Sequence, residues 1–198
     1  MTFTPSSIAA LIVAASFAAG LNVYATIATL GVLSHLRWIS LPPGLHSLAD
    51  PWIISISGVL FAVEFFADKI PGFDLFWNAA HTFIRVPVAA LLAYQTASQL
   101  SPQLQLLAAA GGAAIAAIAH TSKTAARVLV TPSPEPLSNA ALSVGEDVAA
   151  ISLTWVAAHH PYVAATVATA AIVFLLFSLR WIATGIKRIK RRLFPVAA

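Results

Sequence analysis

The chain has no cysteine among its 198 residues. This absence excludes a disulfide framework, a thiolate metal site and a cysteine nucleophile. The sequence also lacks a serine-nucleophile motif, a glycine-rich phosphate loop and a His-x-x-x-His metal pair. His159 and His160 are adjacent, so on a helix they would point in different directions. We therefore expect no metal ion and no cofactor.

Charge is also scarce. Charged residues make up 9% of the chain and hydrophobic residues 59%, with a mean hydropathy of +0.85. A typical soluble domain is about 25% charged, so this chain has too little charge to cover a soluble surface. The composition predicts a membrane protein whose main partner is the lipid bilayer.

The formal net charge is +4, but the positive residues do not form a nucleic-acid footprint, and we expect no nucleic-acid partner. Five of the eleven lie in one run directly after the last apolar stretch: Lys187, Arg188, Lys190, Arg191 and Arg192. Such a run is typical of a cytoplasmic anchor on anionic lipid.

The N-terminal region has no Lys or Arg before Arg37. It therefore lacks the positive segment of a signal peptide, and its apolar run is longer than the apolar core of one. We expect a first membrane span that is retained.

A membrane-spanning helix needs about 20 mainly apolar residues. Six stretches meet this need approximately, and Asp50–Pro51 supplies a cap and first residue for the second. The sequence predicts an all-α polytopic bundle of six transmembrane helices in a single domain, residues 1–198. The stretches are residues 7–33, 52–67, 74–97, 104–130, 139–159 and 161–186.

Six spans would place both termini on one side of the membrane. The basic run at residues 187–198 would make that side the cytoplasm. Prolines recur at one offset, Pro42 with Pro132 and Pro71 with Pro161, which suggests halves at residues 1–100 and 101–186 in a 3+3 inverted repeat. The sequence leaves the oligomeric state open.

Ionisable side chains concentrate between residues 61 and 87, where two apolar runs flank them. At membrane depth such groups cost several kcal/mol unless they are paired or hydrated. Asp74, Asn78, His81 and Arg85 follow helical spacing, which puts them on one face over about 16 Å. The stretch is therefore a working site or an ionic lock between helices.

A second concentration lies in the other half of the chain. His120, Lys123 and Arg127 share a helix face, and Glu146–Asp147 lie at the start of the fifth predicted span. The predicted topology brings both concentrations into one half of the membrane. The candidate ion or substrate site is Glu64, Asp68, Lys69, Asp74, Arg85, His120, Lys123, Arg127, Glu146 and Asp147.

A secondary polar stripe joins Asn22 and Thr26 of the first span with Asn78 and His81. The alternative interpretation of the first span is helix contact, because Gly20 and Gly31 allow close approach. At the fifth span, Ser143-x-x-Glu146 has the pattern of a capping box. If Glu146 caps, Asp147 is the better functional acid.

We expect Arg85 to pair with an acid. Mirroring the second and third spans about Pro71 places Glu64 beside Asn78, with Arg85 about 10 Å deeper. Glu64 would then reach Arg85 only if residues 72–76 are not helical. We therefore prefer Glu146 or Asp147 as the partner.

Five motifs occur in an order that resembles a known family. They are residues 64–74 (EFFADKIPGFD), 82–87 (TFIRVP), the His120–Lys123–Arg127 run, 133–139 (SPEPLSN) and 143–148 (SVGEDV). Together they resemble the bacterial membrane-protein family catalogued as a domain of unknown function, number 4126. The resemblance implies a one-domain integral membrane protein, here of the bacterial cytoplasmic membrane. It implies no activity and no catalytic residue.

Three functions fit these observations. The first is a small transporter or channel for an ion or a small polar or anionic solute, because the ionisable groups lie in or near spans. The second is a lipid-handling protein or enzyme acting on a phosphate-bearing head group, which the basic and acidic groups could hold. The third is a non-catalytic membrane scaffold whose charges form structural pairs.

Overall fold

A computed structural model describes residues 3–70, 73–130 and 136–193. Every regular element in these ranges is helical, as the composition predicts. A short 3₁₀ helix, Pro43–Ala49, precedes the third of seven α-helices. The α-helices are α1 Pro5–Leu21, α2 Val23–His35, α3 Pro51–Ala67, α4 Phe73–Thr96, α5 Pro102–Val130, α6 Pro136–His159 and α7 Pro161–Leu193.

Prolines begin most of these helices, because the fixed φ of proline suits the first turn and its missing N–H is not needed there. The predicted start of α3 is confirmed. Asp50 is the N-cap and its Oδ1 accepts from the backbone N–H of Trp52 at 2.8 Å.

The predicted first span is not one helix. It breaks at Asn22, whose backbone is extended (φ −151°, ψ 105°) and whose Oδ1 caps α2 by accepting from Ala25 N–H at 2.9 Å. An asparagine side chain that bonds its own backbone in this way competes with helix continuation. The break divides the predicted span into α1 and α2.

α2 runs back toward the end of the bundle where α1 begins. Ser40 and Leu41, which follow α2 closely in sequence, line a cavity with Phe3 and Ser7 at the start of α1. Five residues of connecting chain extend at most about 17 Å, too little to return from the far end of a continuous helix. α1 and α2 therefore form a hairpin with Asn22 at its tip, and the prediction of a single crossing helix here is wrong.

The hairpin changes the placement of the termini. The hydroxyls of Ser6 and Tyr162 are 2.9 Å apart, so α1 and α7 begin at the same face of the bundle, here called the Tyr162 face. α7 ends at the opposite face, called the Asp68 face, where α4 and α6 begin. The described chain ends therefore lie at opposite faces of the bundle, and the prediction that both termini lie on one side of the membrane is not confirmed.

Within the described residues, three helical segments are long and apolar enough to cross a membrane: Pro102–Ala126, Ala140–His159 and Pro161–Ser178. A fourth results if Pro43–Ala49 and α3, which meet at 70°, count as one broken span. Large apolar side chains of α7 are exposed, Phe174 by 68% and Phe177 by 71%. Long apolar helices with outward apolar faces indicate a membrane protein.

α1 packs at the centre of the bundle against α4, α5, α6 and α7. Small residues permit this packing: a Cβ added at Gly20 would lie 2.6 Å from the carbonyl oxygen of Ala116, and one at Gly31 would lie 2.5 Å from that of Leu48. The helix-contact interpretation of these glycines is confirmed, because only a residue without a side chain fits there.

The predicted capping box at Ser143 is wrong. α6 begins at Pro136, so Ser143 lies about two turns inside the helix and is fully buried. The proline supplies the helix start that the Ser-x-x-Glu pattern suggested. The inverted repeat is not confirmed: before α4, the first half has a helix break at Asn22 and a 3₁₀ helix that the described part of the second half does not match. The single-domain assignment for residues 1–198 stays a prediction.

Candidate functional site

A buried cluster of charged side chains lies toward the Asp68 face. We call Glu64, Asp68, Arg85, Lys123, Glu146 and Asp147 the ionic cluster. They come from four helices or their ends, α3 to α6, and none is more than 9% exposed. Asn22, Asn78 and His120 are equally buried and bond to its members. Side chains that are far apart in the sequence are thus held in one network.

Arg85 is paired with an acid, as predicted, but the acid is Glu64. The Nη2 of Arg85 contacts Oε1 of Glu64, and both side chains are fully buried. The preferred partners have other described contacts: Glu146 pairs with Lys123, and Asp147 accepts from Asn22.

Arg85 reaches Glu64, despite lying deeper along its helix, because of the direction of its side chain. Nη1 of Arg85 donates to Oδ1 of Asn78 at 3.1 Å, two turns earlier in the same helix. Side chains on a helix lean toward its N-terminus, and a long arginine thereby covers the depth that separates it from Glu64. α4 is helical from Phe73, so the pairing needs no unwound segment.

His120 completes the surroundings of Arg85. Its Nδ1 lies 2.8 Å from Nη1 of Arg85, and its Nε2 lies 2.7 Å from Oγ1 of Thr82. A guanidinium has no acceptor, so Nδ1 must accept and the ring proton is on Nε2, which donates to Thr82. This contact fixes the imidazole in its neutral form.

Lys123 is enclosed by oxygen atoms. Its Nζ lies 2.9 Å from Asp68 Oδ2, 3.2 Å from Glu146 Oε2, 3.2 Å from the carbonyl oxygen of Leu21 and 3.7 Å from Glu64 Oε1. The Leu21 carbonyl is available because the break at Asn22 ends α1 there. The ammonium, with three N–H donors, thus joins α3, α5 and α6 to the hairpin tip.

Asp147 differs from the other acids. Its Oδ1 accepts from Nδ2 of Asn22 at 2.9 Å. Its buried Oδ2 has no hydrogen-bond partner, and no ion pair includes it, among the residues the structure describes. Asn22 therefore caps α2 with its amide oxygen and holds Asp147 with its amide nitrogen.

The residues of the secondary polar stripe differ in their contacts. Asn78 joins the ionic cluster, donating to Asp68 at 3.3 Å as well as accepting from Arg85. His81 lies beside it: Nδ1 donates to the carbonyl of Trp77 at 2.9 Å, so Nε2 is left to accept from Tyr24 at 3.4 Å. Thr26 bonds back to the Asn22 carbonyl at 2.9 Å.

Seven of the ten predicted site residues come together in or beside the ionic cluster. The described contacts of Lys69 are local: Nζ lies 3.0 Å from the centre of the Phe65 ring and donates to the Phe65 carbonyl at 2.8 Å. A flexible lysine at a helix end finds these local partners on its own turn. The side chains of Asp74 and Arg127 lie outside the described residues.

Three contributors to the site were not predicted. Thr82 lies one turn after Asn78 on the polar face, and that spacing could have identified it. Tyr24 lies two residues after Asn22, and only the reversal of α2 brings it to His81. The Leu21 carbonyl carries no side-chain signal at all.

The arrangement limits the chemistry. The described part of the network holds four carboxylates and two cations, which leaves an excess of negative charge when all are ionised. No group of three or more His, Asp or Glu side chains in the described ranges could hold a metal ion. The ionic cluster lines neither of two cavities, of about 330 and 260 Å³. A site this closed can exchange a proton or a small ion more readily than a lipid head group.

Comparisons with known proteins place the chain in one family. Searches among curated proteins and among solved structures found no match. A family model described as "Domain of unknown function (DUF4126)" matches residues 9–181, nearly the whole length. On that match, and in agreement with the resemblance of its motifs, the chain belongs to the DUF4126 family.

Proposed function

We propose that this protein transports a small cation across the membrane and that the ionic cluster is its working site. The observation that carries the proposal is the excess of carboxylates over cations in the described part of a buried network among apolar helices. A charge at membrane depth is costly and is kept where it serves a pathway. An excess of negative charge favours a positively charged cargo over the anionic solute that the sequence left open.

The break at Asn22 supports the proposal independently. Broken helices near the middle of a membrane expose carbonyl groups and helix ends to ions. Here the Leu21 carbonyl faces the ammonium of Lys123 at 3.2 Å, among three carboxylates. The hairpin tip thus offers the kind of oxygen environment in which a cation is held.

The alternatives have less support. A phosphate head group needs available cations, but Arg85 and Lys123 are both engaged with carboxylates and fully buried. A purely structural network is stable when its charges balance and its atoms are paired. This network does not meet the second condition, because three of its buried atoms have no hydrogen-bond partner within the described ranges: Glu64 Oε2, Arg85 Nε and Asp147 Oδ2.

The proposed topology has five crossing helices, α3 to α7, and the α1–α2 hairpin entering from the Tyr162 face. Positive residues favour the cytoplasmic side. Lys69 follows α3, and the basic run at residues 187–192 forms the last part of α7, which ends at the Asp68 face. In this proposal the Asp68 face is therefore cytoplasmic, and the Tyr162 face is on the other side of a bacterial inner membrane. The basic run then binds anionic lipid.

Purified protein in liposomes, given a panel of single-ion gradients, tests this proposal. We expect electrogenic uptake of at least one monovalent cation or of protons, and no uptake of phosphate or chloride. Gly111→Ala is a matched control variant, because a Cβ at this position meets nothing within 4 Å, and it should transport like the parent. Folded protein that moves no cation in any gradient, or that moves anions instead, would overturn the proposal.

A further inference from the structure

We infer that Asp147 is the group that binds and releases a proton within the ionic cluster. This inference rests on the proposed function and deepens it, since it names the proton as a ligand of the site. The juxtaposition that carries it is a buried carboxylate held by Asn22 at the tip of a broken helix, with one oxygen unpartnered among the described residues.

The contacts distinguish Asp147 from the other three acids. Glu64 contacts Arg85, and Asp68 and Glu146 contact Lys123. Each of these has a cation to compensate its charge. Among the described residues, the one partner of Asp147 is the neutral amide of Asn22, at 2.9 Å. A buried carboxylate without a cation is costly to ionise, so a proton stays on this acid most easily.

The geometry also shows which oxygen takes the proton. Oδ1 accepts the N–H of Asn22, and this bond is compatible with both the neutral and the ionised carboxyl group. Oδ2 is buried and has no partner in the described part of the chain. Proton uptake from water forms an O–H bond at Oδ2, and release returns the proton to water and leaves the carboxylate.

The charges around Asp147 determine how readily its carboxyl group ionises. Lys123 of α5 favours its ionised form, whereas Glu64 and Asp68 of α3 and the adjacent Glu146 disfavour it. Lys123 is shared by Glu146, Asp68 and the Leu21 carbonyl. Ionisation of Asp147 adds a competing attraction for this ammonium. Proton release is thereby linked to the contacts that hold the hairpin tip.

Infrared difference spectroscopy of the full-length protein between acidic and alkaline pH tests the inference without relying on transport. The parent should show the C=O stretch of a protonated carboxyl group, and Asp147→Asn should remove that band. Glu146→Gln is the matched control variant, one residue away on the same helix, and should keep it. Asn22→Ala should shift the band, because the hydrogen bond to Oδ1 is lost.

A band that survives in Asp147→Asn, or that disappears in Glu146→Gln instead, would overturn the inference. So would a parent spectrum without such a band at any pH. The same variants in liposomes separate the two proposals. Cation flux that keeps its pH dependence in Asp147→Asn contradicts the proton site alone. A pH-sensitive Asp147 band in protein that moves no ion supports the proton site and contradicts transport.

Discussion

Breaking the Arg85–Glu64 pair should cost much of the stability of the protein. In Arg85→Met, Glu64 keeps only Lys123 at 3.7 Å as a described cation, and Asn78 Oδ1 and His120 Nδ1 lose the Arg85 N–H groups that they accept. Removing one partner of a buried ion pair costs about 3–5 kcal/mol. We expect a loss of that size for Arg85→Met and a similar one for Glu64→Leu.

The double variant Glu64→Leu/Arg85→Met separates the pair from the packing around it. With both charges gone, neither remains buried without a partner. The double variant should therefore lose about 2 kcal/mol less stability than the two single variants lose in sum, which is within the range for coupled contacts. Free energies of unfolding come from reversible sodium dodecyl sulfate titrations of the purified protein, followed by circular dichroism.

Arg180→Met is the control for removing an arginine, because Arg180 is exposed and no described ion pair includes it. Its effect should stay within about 0.5 kcal/mol. The reasoning fails if Arg85→Met is no more costly than this control. It also fails if the two single losses simply add in the double variant.

Three further predictions concern packing, the former capping residue and topology. Gly112→Ala should lower the free energy of unfolding by about 1–3 kcal/mol, because the added Cβ would lie 2.5 Å from that of Ala93. The neighbouring variant Gly111→Ala should raise it slightly in the same titration. Equal effects of the two variants would contradict this prediction. Ser143→Ala should not destabilise, since the buried hydroxyl has no partner among the described residues; a loss of about 1 kcal/mol would restore the capping role. In this cysteine-free chain, single cysteines at positions 4 and 101 should react with an impermeant thiol reagent from the same side, whereas a continuous first span requires opposite sides.

The sequence was sufficient where the signal is local. Glu64, Arg85, His120 and Lys123 lie in apolar surroundings at helical spacings, and that was enough to predict a buried network that includes all four. The requirement that Arg85 find an acid follows from the cost of an unpaired charge alone.

The hairpin could not be predicted, because its cause is distant in sequence. Asn22 can continue a helix at a small cost in propensity. It ends one here while its side chain holds Asp147, 125 residues away. The long apolar run hid this break, so the predicted first span was divided and the six-span topology that depended on it is not confirmed.

Two other errors came from using one-dimensional rules without the neighbouring helices. The depth rule for Arg85 treated residues as points along helix axes, but the side chain leans toward Asn78. The Ser-x-x-Glu pattern predicted a helix start at Ser143, although Pro136 already starts α6. In both cases packing in three dimensions overrides a correct local tendency.

Ion flux through liposomes that contain equal amounts of folded parent, Asp147→Asn and Gly111→Ala protein tests the central claim most directly. The account predicts that parent and Gly111→Ala carry the same cation current and that Asp147→Asn loses its dependence on pH. A parent protein that carries no cation current under any gradient would contradict the claim that the ionic cluster is a transport site.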